Sequence, residues 1–141
     1  MCNPKNMQPL NCLVIDDDAD DRDFFEIALE DCGHAYQLTP LSSGIRALEL
    51  LKDTNIAPDF IFLDLNMPLL SGKECLQSIR GVEHLQHIPV IIYSTSSYYK
   101  DIEETQQLGA TFFLTKSADI DSLSRILGEI FTGKQLPFVL A

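Results

Sequence analysis

The chain has 141 residues, 45% apolar and 22% charged, which is single-domain size with an ordinary globular composition and excludes a wholly disordered chain. Its formal charge of -11, from 21 acidic and 10 basic side chains, repels phosphate backbones and anionic lipid, so neither nucleic acid nor a membrane is an expected partner. No run approaches membrane-spanning length, Met1–Pro9 lacks a signal-peptide core, and Cys2, Cys12, Cys32 and Cys75 form no C-x-x-C pair, so the expected setting is the reducing cytoplasm.

Residues 1–9 read as an N-terminal tail. Cys12-Leu13-Val14-Ile15 is the first of four short apolar runs without polar alternation, the pattern of a strand buried on both faces of a parallel sheet. The acidic run Asp16, Asp17, Asp18, Asp20 and Asp21 follows; a helix start or a cation site would each explain it. Phe24, Phe25, Ala28, Leu29 and Cys32 then keep helical spacing up to Gly33, a natural stop. Ala35 to Leu41 is a weaker strand, and Pro40 assigns it to a sheet edge because proline has no N–H to donate. Ile45, Leu48 and Leu51 make a second helical stripe.

The second buried run is Phe60-Ile61-Phe62-Leu63. After it, Ser71-Gly72-Lys73-Glu74 reads as a capping box opening a third helix through Leu76 and Ile79. The third run, Val90-Ile91-Ile92-Tyr93, precedes a less clearly patterned helix from Tyr98 to Leu108. The fourth, Phe112-Phe113-Leu114, precedes the clearest helix, with Ile120, Leu123, Ile126, Leu127, Ile130 and Phe131 at three- and four-residue steps. Five strand–helix units imply an α/β fold with a parallel sheet between two helical layers, and an edge second strand favours the order 2-1-3-4-5. One domain is expected over residues 10–132, followed by a tail over 133–141 in which Leu136, Phe138, Val139 and Leu140 are apolar.

In such a sheet, ligands bind beyond the carboxyl ends of the strands. Reading each buried run forward gives Asp16 and Asp17, then Asp64 on the central strand, then Ser94 and Thr95, then Lys116. Any one of these alone is most simply a turn or cap residue. Together they are the parts of a phosphoryl-transfer site. Crowded carboxylates favour a bound cation, and oxygen ligands suit magnesium, held by Asp17 and Asp64 with Asp16 nearby or acting through water. His34, His84 and His87 lie in separate segments and read as surface residues, which leaves no zinc site. Asp64 is the candidate nucleophile; Lys116 would offset charge on the phosphoryl oxygens and Ser94 would donate its hydroxyl to one.

These residues resemble the response-regulator receiver family of two-component signalling systems over nearly the whole chain. The quoted elements are Leu13-Val14-Ile15-Asp16-Asp17-Asp18, Phe62-Leu63-Asp64-Leu65-Asn66-Met67-Pro68 with Ser71-Gly72, Ile88-Pro89-Val90 through Ser94, and Gly109-Ala110 followed by Lys116. The resemblance implies a flavodoxin-like (βα)5 sandwich. It makes Asp64 the phosphoacceptor and Asp16, Asp17, Asp64 and the Asn66 carbonyl the Mg2+ ligands. Ser94, Thr95 and Lys116 become the phosphate-facing set, with Ser94 and Phe113 as the switch pair. Two positions depart from the family: Ser117 follows Lys116 where proline is usual, which puts the family's cis peptide in doubt, and Phe113 lacks the hydroxyl of the usual tyrosine. Asn66 and Ser96, each two residues beyond a site residue, are expected to flank the path of an attacking water.

The resemblance further implies a donor, either a histidine kinase or a phosphotransfer protein. The expected switch brings Ser94 towards the phosphoryl group and lets the Phe113 ring fill the vacated space, biasing helix 4, strand 5 and helix 5. With no output module expected beyond the receiver, the signal would leave through protein contact, to an unknown downstream protein or a second copy in a homodimer. The apolar tail would dock on such a partner or pack over helix 5. The chain is thus expected to be a signalling protein rather than an enzyme. The rivals are a receiver-like interaction module that is never phosphorylated and an Asp-nucleophile phosphatase of the haloacid dehalogenase type. The latter usually places a second Asp where this chain has Asn66.

Overall fold

The computed structural model describes residues 8–140; residues 1–7 of the expected N-terminal tail, and Ala141, lie outside that range. Among the described residues the strands are β1 (Leu10–Ile15), β2 (Tyr36–Leu41), β3 (Phe60–Leu63), β4 (Val90–Ser94), β5 (Phe112–Thr115) and β6 (Val139–Leu140). The helices are α1 (Ala19–Asp31), α2 (Gly44–Leu51), α3 (Gly72–Arg80), α4 (Tyr99–Gln107) and α5 (Ile120–Phe131). A short 3-10 turn, Glu83–Leu85, separates α3 from β4.

All strands are parallel, in the order β2-β1-β3-β4-β5-β6. The first five follow the flavodoxin-like order expected from the sequence. Pro40 lies opposite Val14 on the edge strand β2, where its missing N–H interrupts no interior ladder.

Period-two alternation divides the apolar side chains into two cores. Leu13, Ile15, Ile61, Leu63, Val90, Ile92 and Phe113 meet Ala47 and Leu51 of α2 and Cys75, Leu76 and Ile79 of α3. Their neighbours in sequence, Val14, Phe62, Ile91, Tyr93 and Leu114, meet Phe25, Ala28 and Leu29 of α1 and Leu123, Leu127 and Ile130 of α5. Burial of both faces is why the runs show no polar alternation. Each large side chain so removed from water contributes about 1.5–3 kcal/mol.

The sixth strand is not anticipated by the sequence pattern. The Phe113 amide donates to the Phe138 carbonyl at 2.8 Å, and Val139 and Leu140 pair with Phe113 and Leu114. Phe138 packs against the first core while Leu140 is buried in the second. The segment after α5 therefore lies along the outer edge of β5. Of the three histidines, only His87 is exposed; His34 packs edge-on to Phe131, and the half-buried His84 keeps Nε2 out of water without a partner among the described residues.

Candidate phosphoryl-transfer site

The site lies at the carboxyl edge of the sheet, between β1 and β3, where the order in which strands are added reverses. Register places Ile15 beside Leu63, so the next residues, Asp16 and Asp64, leave adjacent strands side by side. The Asp64 amide donates to the Ile15 carbonyl at 2.9 Å and the Asp16 amide to the Leu41 carbonyl at 3.0 Å, fixing both backbones.

Local chemistry then shapes each loop. Asp18 caps α1, accepting from the amides of Asp20 and Asp21, and the Asp18 amide donates to Asp16 Oδ1 at 3.0 Å. Arg22, one turn into α1, donates to the Asp16 carbonyl at 2.7 Å. After Asp64 the chain turns through Leu69, whose φ of 69° is unusual for a branched side chain, and which is 91% exposed. The capping box expected at Ser71 and Glu74 is present and starts α3. Gly72 donates to the Leu65 carbonyl at 2.9 Å, and a Cβ there would collide with the Asp64 carbonyl oxygen and the Leu65 Cα. Glycine is required by this close approach, which seats α3 directly against the Asp64 loop.

Asp16, Asp17 and Asp64 each offer a carboxylate oxygen within 4.8 Å of the others. Asp16 and Asp64 are buried, and Asp17 is exposed. Burial pushes the Asp64 carboxyl up to about 6, against the pull of Lys116 and with reinforcement from Asp16. Burial likewise raises Asp16, although Lys116 and the Asp18 amide oppose it. A hard divalent cation would relieve this crowding, and an all-oxygen donor set fits Mg2+.

Lys116 supplies the positive charge within the protein. It follows β5, its amide donates to the Ser94 carbonyl at 2.7 Å, and its side chain is 10% exposed. Nζ donates to Asp16 Oδ2 at 2.6 Å and Asp21 Oδ2 at 2.8 Å, and stands 3.7 Å from Asp64 Oδ1. Burial alone would lower its pKa, but the hydrogen bonds to Asp16 and Asp21 and the charge of Asp64 raise it above the ordinary lysine value. Lys116 stays charged.

Ser94 is fully buried at the end of β4, and its Oγ accepts from the Ser96 amide at 3.3 Å. Thr95 is exposed and lines an open hollow beside Lys116 together with Asp20, Asp21 and Tyr93. Asn66 is exposed after Asp64, and Phe113 is fully buried in the first core. No peptide bond among the described residues is cis, Lys116–Ser117 included.

The roles of two residues, and the anchoring of a third that the sequence did single out, Ser96, escape a reading of the sequence alone. Asp21 belongs to an acidic run that a helix start explains, yet its carboxylate reaches Lys116 across the sheet edge. Arg22 has no partner suggested by spacing. Ser96 Oγ is committed to Asp101 Oδ2 at 2.5 Å, and Asp101 is held in turn by Lys73 of α3 at 2.7 Å.

Known proteins are similar to this chain in sequence and fold. The chain is 31% identical over 127 residues to the chemotaxis protein CheY-3 of Vibrio cholerae, covering 90% of this chain and 93% of that protein. It is 32% identical over 120 residues to the CAI-1 autoinducer sensor kinase/phosphatase CqsS of the same species, covering 84% of this chain and spanning only 17% of that longer protein. The crystal structure of the phosphorylated cyanobacterial phytochrome response regulator RcpA superposes with a TM-score of 0.80 at 28% identity, covering 92% of this chain and 99% of that one. The response regulator receiver domain model matches residues 12–127, and with the acidic pocket, central Asp64 and Lys116 in place, the chain belongs to the receiver family of two-component response regulators.

Proposed function

We propose that this chain accepts a phosphoryl group on Asp64 from a histidine kinase or phosphotransfer protein, with Mg2+ held by Asp16, Asp17, Asp64 and the Asn66 carbonyl. The carrying observation is the position of Asp64. It directly follows the central strand, with Asp16 and Asp17 oxygens within 4.8 Å and the Lys116 ammonium 3.7 Å away. In the transfer, an Asp64 oxygen bonds to phosphorus as the donor's P–N bond breaks, and the departing imidazole takes up a proton. Lys116 answers the negative charge of the phosphoryl oxygens, and Ser94 offers its hydroxyl to one of them. Bound Mg2+ would supply further neutralisation of those oxygens.

Receiver domains signal through protein contacts, and we assign output here to the face formed by α4, β5 and α5, whose β5 edge carries β6. Ser94 and Phe113 form the switch pair in this reading, with Thr95 at the phosphate-facing rim. The target is a downstream protein or a second copy of the chain, in the cytoplasm. No described helix is long and apolar enough to cross a membrane.

Incubation with acetyl phosphate and Mg2+, followed by intact-mass measurement, tests the reading. Wild type should gain one phosphate adduct that Asp64→Asn does not. A protein that stays unmodified would instead be a receiver-like interaction module, and turnover of small phosphoesters would indicate a phosphatase.

A further inference from the structure

Lys116 has three N–H bonds to give, and two are committed away from the phosphoacceptor. Nζ reaches Asp16 at 2.6 Å and Asp21 at 2.8 Å, while Asp64 at 3.7 Å lies beyond hydrogen-bond reach. The two partners differ in kind. Asp16 belongs to the carboxylate triad that could hold a cation; Asp21 does not. Asp21 stands in the first turn of α1 with its side chain 37% exposed, and the cap of that helix is already supplied by Asp18. Asp20 offers the helix terminus the same charge with no bond to Lys116. Helix capping therefore does not explain the Asp21–Lys116 bond.

We infer that Asp21 is a positioning residue that holds Lys116 back from Asp64, making the unphosphorylated state easier to keep and the phosphorylated state harder to reach. This rests on the phosphoacceptor reading above. Phosphorylation would place new anionic oxygens beside Lys116. To meet them, Lys116 must turn or share an N–H now given to Asp21, and the Asp21 carboxylate is left nearby as a like charge. Both effects oppose the phosphoryl group. The same carboxylate favours a cation at the bare triad. The opposite signs separate this role from a merely structural one, which would weaken both ligands together.

The experiment uses the full chain and follows amide NMR shifts in two titrations, Mg2+ alone and beryllofluoride at saturating Mg2+. Asp21→Asn should lower the half-saturating beryllofluoride concentration about three- to tenfold while raising that for Mg2+ by a smaller factor. Asp21→Glu should return both towards wild type. Asp20→Asn, the same charge change without the bond, should move each by less than about twofold. Asp21→Ser provides the same readout should the Asn variant fold poorly. Unchanged or weaker beryllofluoride binding in Asp21→Asn and Asp21→Ser, with normal binding in wild type, overturns this inference alone. Failure of wild type to bind beryllofluoride overturns the phosphoacceptor reading and this inference with it.

Discussion

Two lysines in this molecule do the same thing in different surroundings. Lys116 donates to Asp16 at 2.6 Å and Asp21 at 2.8 Å; Lys73 donates to Asp101 at 2.7 Å and Glu104 at 2.9 Å. By distance the clusters are nearly interchangeable. By burial they are not, because Asp16 is 1% exposed and Lys116 10%, whereas the Lys73 side chain is 29% exposed and Glu104 is exposed. Water competes for every charge around Lys73 and for few around Lys116. Bond length therefore says little about what each lysine is worth. Lys73 ties α3 to the start of α4, while Lys116 makes a buried acidic cluster tolerable.

The largest test of that contrast is Lys116→Met. Without the ammonium, Asp16 and Asp64 are left buried and unpaired, and urea unfolding in EDTA at neutral pH should show a loss of about 3–5 kcal/mol. The deficit should persist in high salt and shrink in acid as the carboxylates take up protons. A loss as small as that at a surface pair would erase the distinction.

Asp64→Asn sharpens the same point with the opposite sign. The folded Asp64 carboxyl, at about 6, lies above its ordinary value of 3.8, so the fold favours the protonated form. Its contribution is fully favourable below the ordinary value and is lost as pH rises through about 6. In metal-free buffer near neutrality Asp64→Asn should therefore be more stable than wild type, by about 1–3 kcal/mol in urea unfolding. The gap should narrow as pH falls below about 6 and close near 3.8. A gap that is constant with pH would place the cause elsewhere.

Lys73→Met should do least, costing about 0.5–1 kcal/mol in dilute buffer. The difference should disappear near 1 M salt, where screening extends over only about 3 Å. A salt-resistant loss would mean that the link from Lys73 through Asp101 to Ser96 is stiffer than its exposure suggests.

The strands of this fold were legible because burial on both faces leaves unbroken apolar runs, and the site was legible because parallel strands deliver their last residues to one edge. Asp16, Asp64, Ser94 and Lys116 could all be found by stepping past Ile15, Leu63, Tyr93 and Thr115. What stayed hidden depends on contacts with no sequence period. Lys73 and Asp101 come from different helices, and nothing in either segment names the other. Asp21 was masked by a sufficient local explanation. The strand at Val139–Leu140 is only two residues long, too short to show alternation, and its pairing depends on the free edge of β5. His84 reads as a surface residue because burial of one ring nitrogen in a 3-10 turn leaves no pattern.

That short strand has a practical consequence for anyone attaching something to the protein. In a wholly parallel sheet every strand starts at one rim and finishes at the other, and β6 runs the same way as β3. A fluorescent protein or affinity handle joined directly after Leu140 would thus emerge from the rim that carries Asp64. Pulling on it would also strain the hydrogen bond that Phe138 accepts from Phe113. Leu10 opens β1 at the far rim, so a handle joined directly before it leaves the Asp64 rim clear.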